Sequence, residues 1–307
     1  MTDESTPPSR AAGVDPTRRD CAPIRTFHHA DRSLDELRAA KGSTTVSVCL
    51  PARNEAATVG LVLWKIRQVL QDTPREYQLL VGDDASDDAT REVLQGYEAS
   101  LPLTVLRSDS PIGYAATVER LLRTALERSD RHKRDAAILW PTDYTVDPAS
   151  VEEFIKKFES GADLIVGEAH LEGEPDRGQR LIRRWAPTLL GRRVRVPGVH
   201  DVVSGVAAFR LVALRQAFRD RGERWLATEG WAANAELVAW AASAARQVET
   251  VPITVRADRR QRPSRVEPWP LARALWQARG RLVAPPRSAP ARDRQPRPPA
   301  RAKEPVT

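Results

Sequence analysis

The chain has 307 residues, 41% of them hydrophobic, which is enough for one large α/β domain or two small ones. Lys and Arg number 48 against 41 Asp and Glu, a net charge of +7, but much of the excess is arginine near the C-terminus and says little about the core. Two cysteines, a polar acidic start and no apolar run near the roughly 20 residues that span a bilayer argue against a disulfide framework, a secretory leader and a membrane span, and predict a cytoplasmic setting.

Residues 1–43 are rich in Pro, Ser, Thr, Asp and Arg and predict a disordered tail, with at most a short helix over Ser33 to Ala40. From residue 44 the pattern changes. Val46 to Leu50 reads as a buried strand, stopped at Pro51, and Ala57 to Leu70 carries the broad apolar face of a helix. Strand and helix then alternate: Tyr77 to Val81, Asp88 to Glu98, Leu103 to Leu106, Tyr114 to Glu127, Ala136 to Trp140, a helix opened by Asp147 and Pro148, and Leu164 to Val166. Short connections between alternating elements predict an α/β fold with a mostly parallel central sheet and helices on both faces.

The second half is less regular. Arg177 to Leu190 is basic and amphipathic, and His200 to Arg210 reads as a loop leading into a buried segment. Glu229 to Ala245 reads as an apolar helix, Val248 to Val255 as a strand, and Arg256 to Arg265 as a dense basic loop. Pro270 to Val283 can form an amphipathic helix. After Ala284 come seven Pro and six basic residues against two acidic, a tail that cannot bury a core. The predicted organisation is therefore a tail over 1–43, one domain over 44–265, a helix over 266–283 and a second tail over 284–307.

The most informative stretch is Leu79 to Thr90, LLVGDDASDDAT, where a buried strand ends in four aspartates within six residues. In an open α/β sheet such strand ends border the ligand crevice. The alternative is a solvated turn in which Ser86 or Asp87 caps the next helix. Polar residues also end the other strands: Arg53, Asn54 and Glu55; Arg107 to Ser110; Asp143 and Asp147.

Taken in order, these motifs resemble a glycosyltransferase of family 2 with the GT-A (Rossmann-like) nucleotide-sugar fold, nearest to the dolichol-phosphate or polyprenol-phosphate mannosyltransferase group. The similarity rests on LPARNE at Leu50 to Glu55, GDDASDD at Gly82 to Asp88, PIGYAA at Pro111 to Ala116, DVVSGVAAFR at Asp201 to Arg210, ETVPI at Glu249 to Ile253 and RRQRPSR at Arg259 to Arg265. It implies inverting transfer of a sugar from a nucleoside diphosphate-sugar, GDP-mannose or UDP-hexose, to a polyprenyl phosphate or a small-molecule hydroxyl. Donor contacts are expected from Pro51, Ala52, Arg53, Glu55, Asp83, Asp84, Gly113, Asp143, Arg259 and Arg265. Glu55 can instead cap the following helix, and the arginines can instead form a solvated linker.

The resemblance also implies Mg²⁺ or Mn²⁺ held by a D-x-D-x-Q segment. Here that segment is PTDYT, so Pro141 replaces the first Asp, Asp143 is kept as the metal or diphosphate residue, and Thr145 replaces the Gln. Such a thin shell makes a catalytically weakened sugar-nucleotide-binding homologue the alternative reading. The basic loop offers compensation, because guanidinium groups can hold a diphosphate without a metal. Transfer to a lipid phosphate needs cations rather than a base, and Arg183 and Arg184, with Ser204, are the expected acceptor contacts. Transfer to a hydroxyl needs a base; ATEGW offers Glu229, with Asp201 and Glu236 behind it, although Asp201 can instead brace the Ser204–Gly205 turn. His200 is expected exposed. The helix over 270–283 can lie on an anionic membrane or pack on the domain. Nucleic acid is not an expected partner, since the tail arginines are not interleaved with stacking aromatics.

Overall fold

A computed structural model describes residues 45–282 apart from 72, 74, 173–176, 220, 223 and 262–267. Both predicted tails, and Arg265 with its neighbours, lie outside the described residues. The order is β1 (Thr45–Ala52), α1 (Val59–Gln71), β2 (Glu76–Asp83), α2 (Thr90–Glu98), β3 (Leu103–Arg107), α3 (Tyr114–Arg128), β4 (Ala136–Leu139), α4 (Val151–Glu159) and β5 (Leu164–Glu172). It continues with α5 (Arg177–Leu190), β6 (Ala207–Arg210), α6 (Leu211–Phe218), α7 (Gly230–Ala244), β7 (Val248–Arg256) and α8 (Pro268–Arg281).

The strands form one seven-stranded sheet in the order β3-β2-β1-β4-β6-β5-β7. The β1–β2, β2–β3, β1–β4 and β5–β7 pairs are parallel, while β6 runs antiparallel to both neighbours. The sheet is mostly parallel, as expected; the insertion of β6 between β4 and β5 is not visible in the order of the elements. Ala207 to Phe209 of β6 are fully buried between these strands, so a short apolar segment far along the chain completes the middle of the sheet.

Strand residues alternate between two cores. Val46, Val48 and Leu50 of β1, Leu79 and Val81 of β2, and Ala136 and Ile138 of β4 face the side covered by α1, α2 and α4. Cys49, Leu80, Ala137 and Leu139 face the side covered by α3, α5, α6, α7 and α8. Burial on both faces explains why these strands read as continuous apolar runs. Cys49 is one of these packing groups, and its burial pushes the thiol pKa up, away from reactivity.

Helix α8 packs against α5 and α7, burying Leu275, Ala278 and Leu282. Arg193 caps the junction, donating from Nη1 to the carbonyls of Arg279 (3.0 Å) and Leu282 (3.2 Å). Among the described residues, no helix is long and apolar enough to cross a membrane.

Candidate active site

The C-terminal ends of β1, β2 and β4 open on one cavity of about 490 Å³. Its floor and walls include Pro51 and Ala52 at the end of β1, Arg53 and Glu55 after it, Asp84 after β2, and Pro141 to Asp143 after β4. The far wall comes from the first turns of α3 and α7, through Gly113, Tyr114, Trp231 and Asn234, and from Arg183 and Arg260. The polar ends of β1, β2 and β4 therefore converge, whereas Arg107 to Ser110 after β3 and Asp147 do not line the cavity.

The acidic stretch after β2 does two different jobs. Most of it is structural. Ser86 Oγ accepts from Asn54 N (2.9 Å), Thr90 Oγ1 from Glu55 N (2.9 Å), and Asp88 Oδ2 from Ala56 N (3.1 Å), so the β2–α2 loop fastens the β1–α1 loop. Neither Ser86 nor Asp87 caps α2: the residue before it is Ala89, and Asp88 Oδ1 accepts from Thr90 N at 2.9 Å. Asn54 (φ 54°), Ala85 (φ 50°) and Tyr144 (φ 57°) each turn left-handed at a strand end, which lets three loops leave the sheet sharply at the cavity edge.

Asp83, expected to contact the donor, does not line the cavity. It is buried; Oδ2 pairs with Arg107 Nη1 at 2.8 Å and Oδ1 accepts from Ser86 N at 3.0 Å. Period-two alternation explains this, since neighbouring residues at a strand end point to opposite sides. Asp84 faces the cavity. It accepts from Ile112 N (2.6 Å) and Gly113 N (3.2 Å) and stands 3.8 Å from Arg53 Nη1. Glu55 also lines the cavity, and its Oε2 accepts from Thr58 Oγ1 (3.1 Å), so it combines the lining and helix-start positions weighed from the sequence.

Gly113 is required on two counts. Its φ is +94°, and a Cβ there would stand 3.1 Å from Glu229 Oε1. Glu229 itself is exposed at the rim, with Oε2 accepting from Ala115 N (3.0 Å) at the start of α3. It is flanked by the lining residues Gly113 and Gly230 but is not part of the lining. Glu236 is removed from the chemistry: its buried carboxylate accepts from Ala227 N, Thr228 N and Thr228 Oγ1 and pairs with Arg221.

Asp201 lies behind the cavity wall, accepting from Ala169 N (3.3 Å) and standing 3.5 Å from Arg183 Nη1. Burial raises its pKa, and the Arg183 charge opposes the shift only in part. Asp201 Oδ1 and Arg183 Nε and Nη1 are buried without a hydrogen-bond partner, while the Arg183 guanidinium lies over the Trp231 ring at 5.1 Å. Ser204 lines the cavity, but its hydroxyl accepts from Val206 N at 3.2 Å. Arg184 is exposed and outside the lining. Arg259 is also outside it, pairing with Asp147 at 3.3 Å over the Tyr144 ring. His200 is exposed, as expected, with its backbone N–H on Glu168.

Asp143 is fully engaged by protein. Oδ1 accepts from Thr145 Oγ1 (2.7 Å) and Thr145 N (3.2 Å), and Oδ2 accepts from Arg260 Nε at 3.0 Å. A divalent cation bound through Oδ2 at about 2.1 Å would sit against the guanidinium, and Pro141 offers no second carboxylate. Among the described residues no group of three His, Cys, Asp or Glu side chains is placed to hold a metal. The residues present do not fit the divalent ion that the family resemblance implies.

Sequence reasoning did not find Tyr114, Asn234 or Trp231 in the wall. Tyr114 donates to Asn234 Oδ1 at 2.9 Å across 120 positions of chain, a pairing that no local pattern signals. Trp231 had a cue in its place beside Glu229 in ATEGW.

A half-open parallel sheet with a single antiparallel strand, and a nucleotide-sized trough at its strand ends, is the architecture of GT-A transferases. The chain belongs to glycosyl transferase family 2, whose sequence profile matches residues 47–218, more than half of its length. Over 168 residues it is 24% identical to dolichol-phosphate mannosyltransferase of Pyrococcus furiosus; the aligned region is 53% of this chain and 45% of that protein, so the chain spans less than half of that relative. Among solved structures, glucosyl-3-phosphoglycerate synthase from Mycobacterium tuberculosis, crystallised with Mn²⁺, UDP-glucose and phosphoglyceric acid, superposes with a TM-score of 0.52 at 21% identity, covering 83% of this chain and 86% of that one. A further mycobacterial protein gives 0.54 at 21% identity, covering 83% and 80%. At these identities the superpositions establish the fold.

Proposed function

We propose that this chain transfers a sugar from a nucleoside diphosphate-sugar, GDP-mannose or a UDP-hexose, to a polyprenyl phosphate or a small-molecule hydroxyl, with inversion at the anomeric carbon. The observation that carries the reading is the convergence of Arg53, Arg183 and Arg260 on a cavity that also presents Glu55 and Asp84. Carboxylates accept from base N–H and ribose hydroxyl groups, and guanidinium groups pair with phosphate. The loop Pro51 to Glu55 suits the base, Asp84 the ribose, and Arg260 beside Asp143 the diphosphate.

An acceptor oxygen attacks the anomeric carbon, the bond from that carbon to the diphosphate breaks, and the nucleoside diphosphate leaves with the bonding electrons. A phosphate acceptor enters as an anion and needs no base; Arg183, which lines the cavity beside Trp231, is the residue for it. A hydroxyl acceptor must give up a proton, and Glu229 at the rim is the base for that case. Calorimetric titration with GDP-mannose, UDP-glucose and UDP-GlcNAc, with and without Mn²⁺, tests the reading. At least one is expected to bind with a Kd of about 1 μM–1 mM, the usual range of substrate affinity, and to turn over with a polyprenyl phosphate or a hydroxyl acceptor pool. Binding of none would sink it. Binding without turnover against any acceptor would favour the weakened homologue, which the engagement of Asp143 by Arg260 supports.

A lipid acceptor would bring the chain to a membrane surface. Trp269 and Trp276 of α8 are 85% and 60% exposed, and Leu181 and Trp185 of the adjacent α5 are also exposed. Exposed arginines lie on the same two helices, among them Arg180, Arg184 and Arg273. This composition suits peripheral contact with anionic lipid. In flotation with vesicles containing anionic phospholipid, Trp269→Ala/Trp276→Ala is expected to lower the bound fraction several-fold; equal recovery of both proteins in the unbound fraction would remove the membrane contact from the proposal.

A further inference from the structure

The family resemblance leads to a divalent cation beside Asp143, and the side chains here are arranged against it. We infer that Arg260 takes the place of the metal: its guanidinium, oriented by Asp143, is the cation that holds the donor diphosphate, so that donor binding does not depend on a divalent ion. The inference rests on the proposed nucleotide-sugar reading and goes further by naming what neutralises the phosphates.

Three observations carry it. First, the Asp143 carboxylate is saturated. Thr145 occupies Oδ1 through both its hydroxyl and its backbone N–H, and Arg260 occupies Oδ2 through Nε and Nη2, each at 3.0 Å. A metal could reach Oδ2 only by displacing the guanidinium and then standing beside a like charge in a site where the side chains are only 13% and 21% exposed. Second, the partner a metal would need is absent, because Pro141 stands two residues before Asp143 and both line the cavity. Third, Arg260 comes from the turn after β7, whose end is bridged to Thr145 and Val146, and lines the cavity together with Asp143. An arginine that bonds a carboxylate through one edge of its fork retains N–H groups along the other edge for a second anion. Its planar, permanently charged head suits a bidentate grip on phosphate oxygens.

The geometry also explains Thr145. In place of an amide side chain at that position, the hydroxyl turns back on Asp143 Oδ1 at 2.7 Å and fixes the carboxylate plane that aims Arg260. Asp143 is thereby a positioning residue for the guanidinium rather than a metal ligand.

The test uses UDP and GDP with the full chain, titrated calorimetrically in EDTA and in MnCl₂. The expected result is binding of at least one nucleoside diphosphate with affinities in the two buffers equal within about threefold. Arg260→Ala is expected to weaken that binding at least tenfold in EDTA, with Arg260→Lys in between, because the charge stays while the fork is lost. Thermal unfolding of each variant shows whether it is folded; were Arg260→Ala unfolded, Arg260→Lys alone would decide. Binding that vanishes in EDTA, or variants that bind as tightly as the parent, would overturn the inference while leaving the nucleotide-sugar reading intact. If neither UDP nor GDP binds in either buffer, that reading fails and takes the inference with it.

Discussion

Replacing Asp163 by alanine is expected to cost about 3 kcal/mol and to lower the melting temperature by roughly 6–12 °C, measured by chemical denaturation and calorimetry. Asp163 stands at the start of β5 and is 3% exposed. One oxygen accepts from Arg210 Nε at 2.8 Å, and the other from Arg246 N at 2.9 Å and Arg246 Nε at 3.1 Å. Its backbone N–H bonds Gln247 O, and its carbonyl accepts from Arg210 N. One residue thus joins the ends of β5, β6 and β7.

The two arginines do not contribute equally. Arg246 is 83% exposed, so its side-chain ion pair is screened and adds little. Arg210 is 12% exposed, and losing the carboxylate leaves its charge, among the described residues, with the carbonyls of Lys133, Phe158 and Ala162 and the ring of Phe158. Those remaining acceptors hold the cost near the low end for a broken buried pair.

The pH dependence has a definite sign. Desolvation pushes the Asp163 pKa up, but the Arg246 hydrogen bonds and the Arg246 and Arg210 charges outweigh it, and the folded value lies below the usual range. The unfolded chain then binds the proton more readily. The stabilisation is complete above the unfolded value of about 4 and is lost as pH falls through the folded one. The parent should lose stability over that acid range more steeply than Asp163→Asn, which has no carboxylate to titrate. Parallel curves for the two would refute the assignment.

Asp84→Ala is expected to lower kcat/KM about 100-fold with the protein still folded, the equivalent of roughly 2.7 kcal/mol. Asp84 accepts from two backbone N–H groups of the Pro111–Gly113 turn and stands beside Arg53. Its loss frees that turn, strands two donors and removes the acceptor proposed for the ribose, and hydrogen bonds to a charged group contribute about 1.5–3 kcal/mol each. Asp83→Ala separates the two neighbours. Asp83 faces Arg107 rather than the cavity, so it should lower the melting temperature more than Asp84→Ala and kcat/KM less. An Asp84→Ala enzyme within threefold of the parent would show that this carboxylate is not part of donor recognition.

Most of the fold was legible because its signals are local. The apolar runs of β1, β2 and β4 and the helical spacing of α1 and α3 are written in consecutive residues, and Asp147 does cap the turn before α4, accepting from Ala149 N at 3.1 Å. The place of β6 was not legible, since β6 pairs with two strands that precede it in sequence and nothing within AAFR states which. At the site, residue type indicated the right region but not direction. Asp83 and Asp84 look alike in sequence, and only the strand's pleat turns one inward and the other toward the cavity. The arginine cluster after β7 was conspicuous; that Arg260 would meet Asp143 while Arg259 meets Asp147 depends on side-chain angles spanning more than a hundred positions.

The cross-fastened loops after β1 and β2 divide the trough into two jaws of unequal stiffness. One is set during folding by bonds from Ser86, Asp88 and Thr90 to three successive backbone N–H groups. The other, around Arg259 and Arg260, is clipped to the β4 side by side-chain ion pairs, a backbone bond from Arg256 N to Thr145 O and the isolated bridge between Val146 and Val255. A visiting molecule would meet a rigid anvil on the first side, and the ordering cost of closing around it would fall on the second.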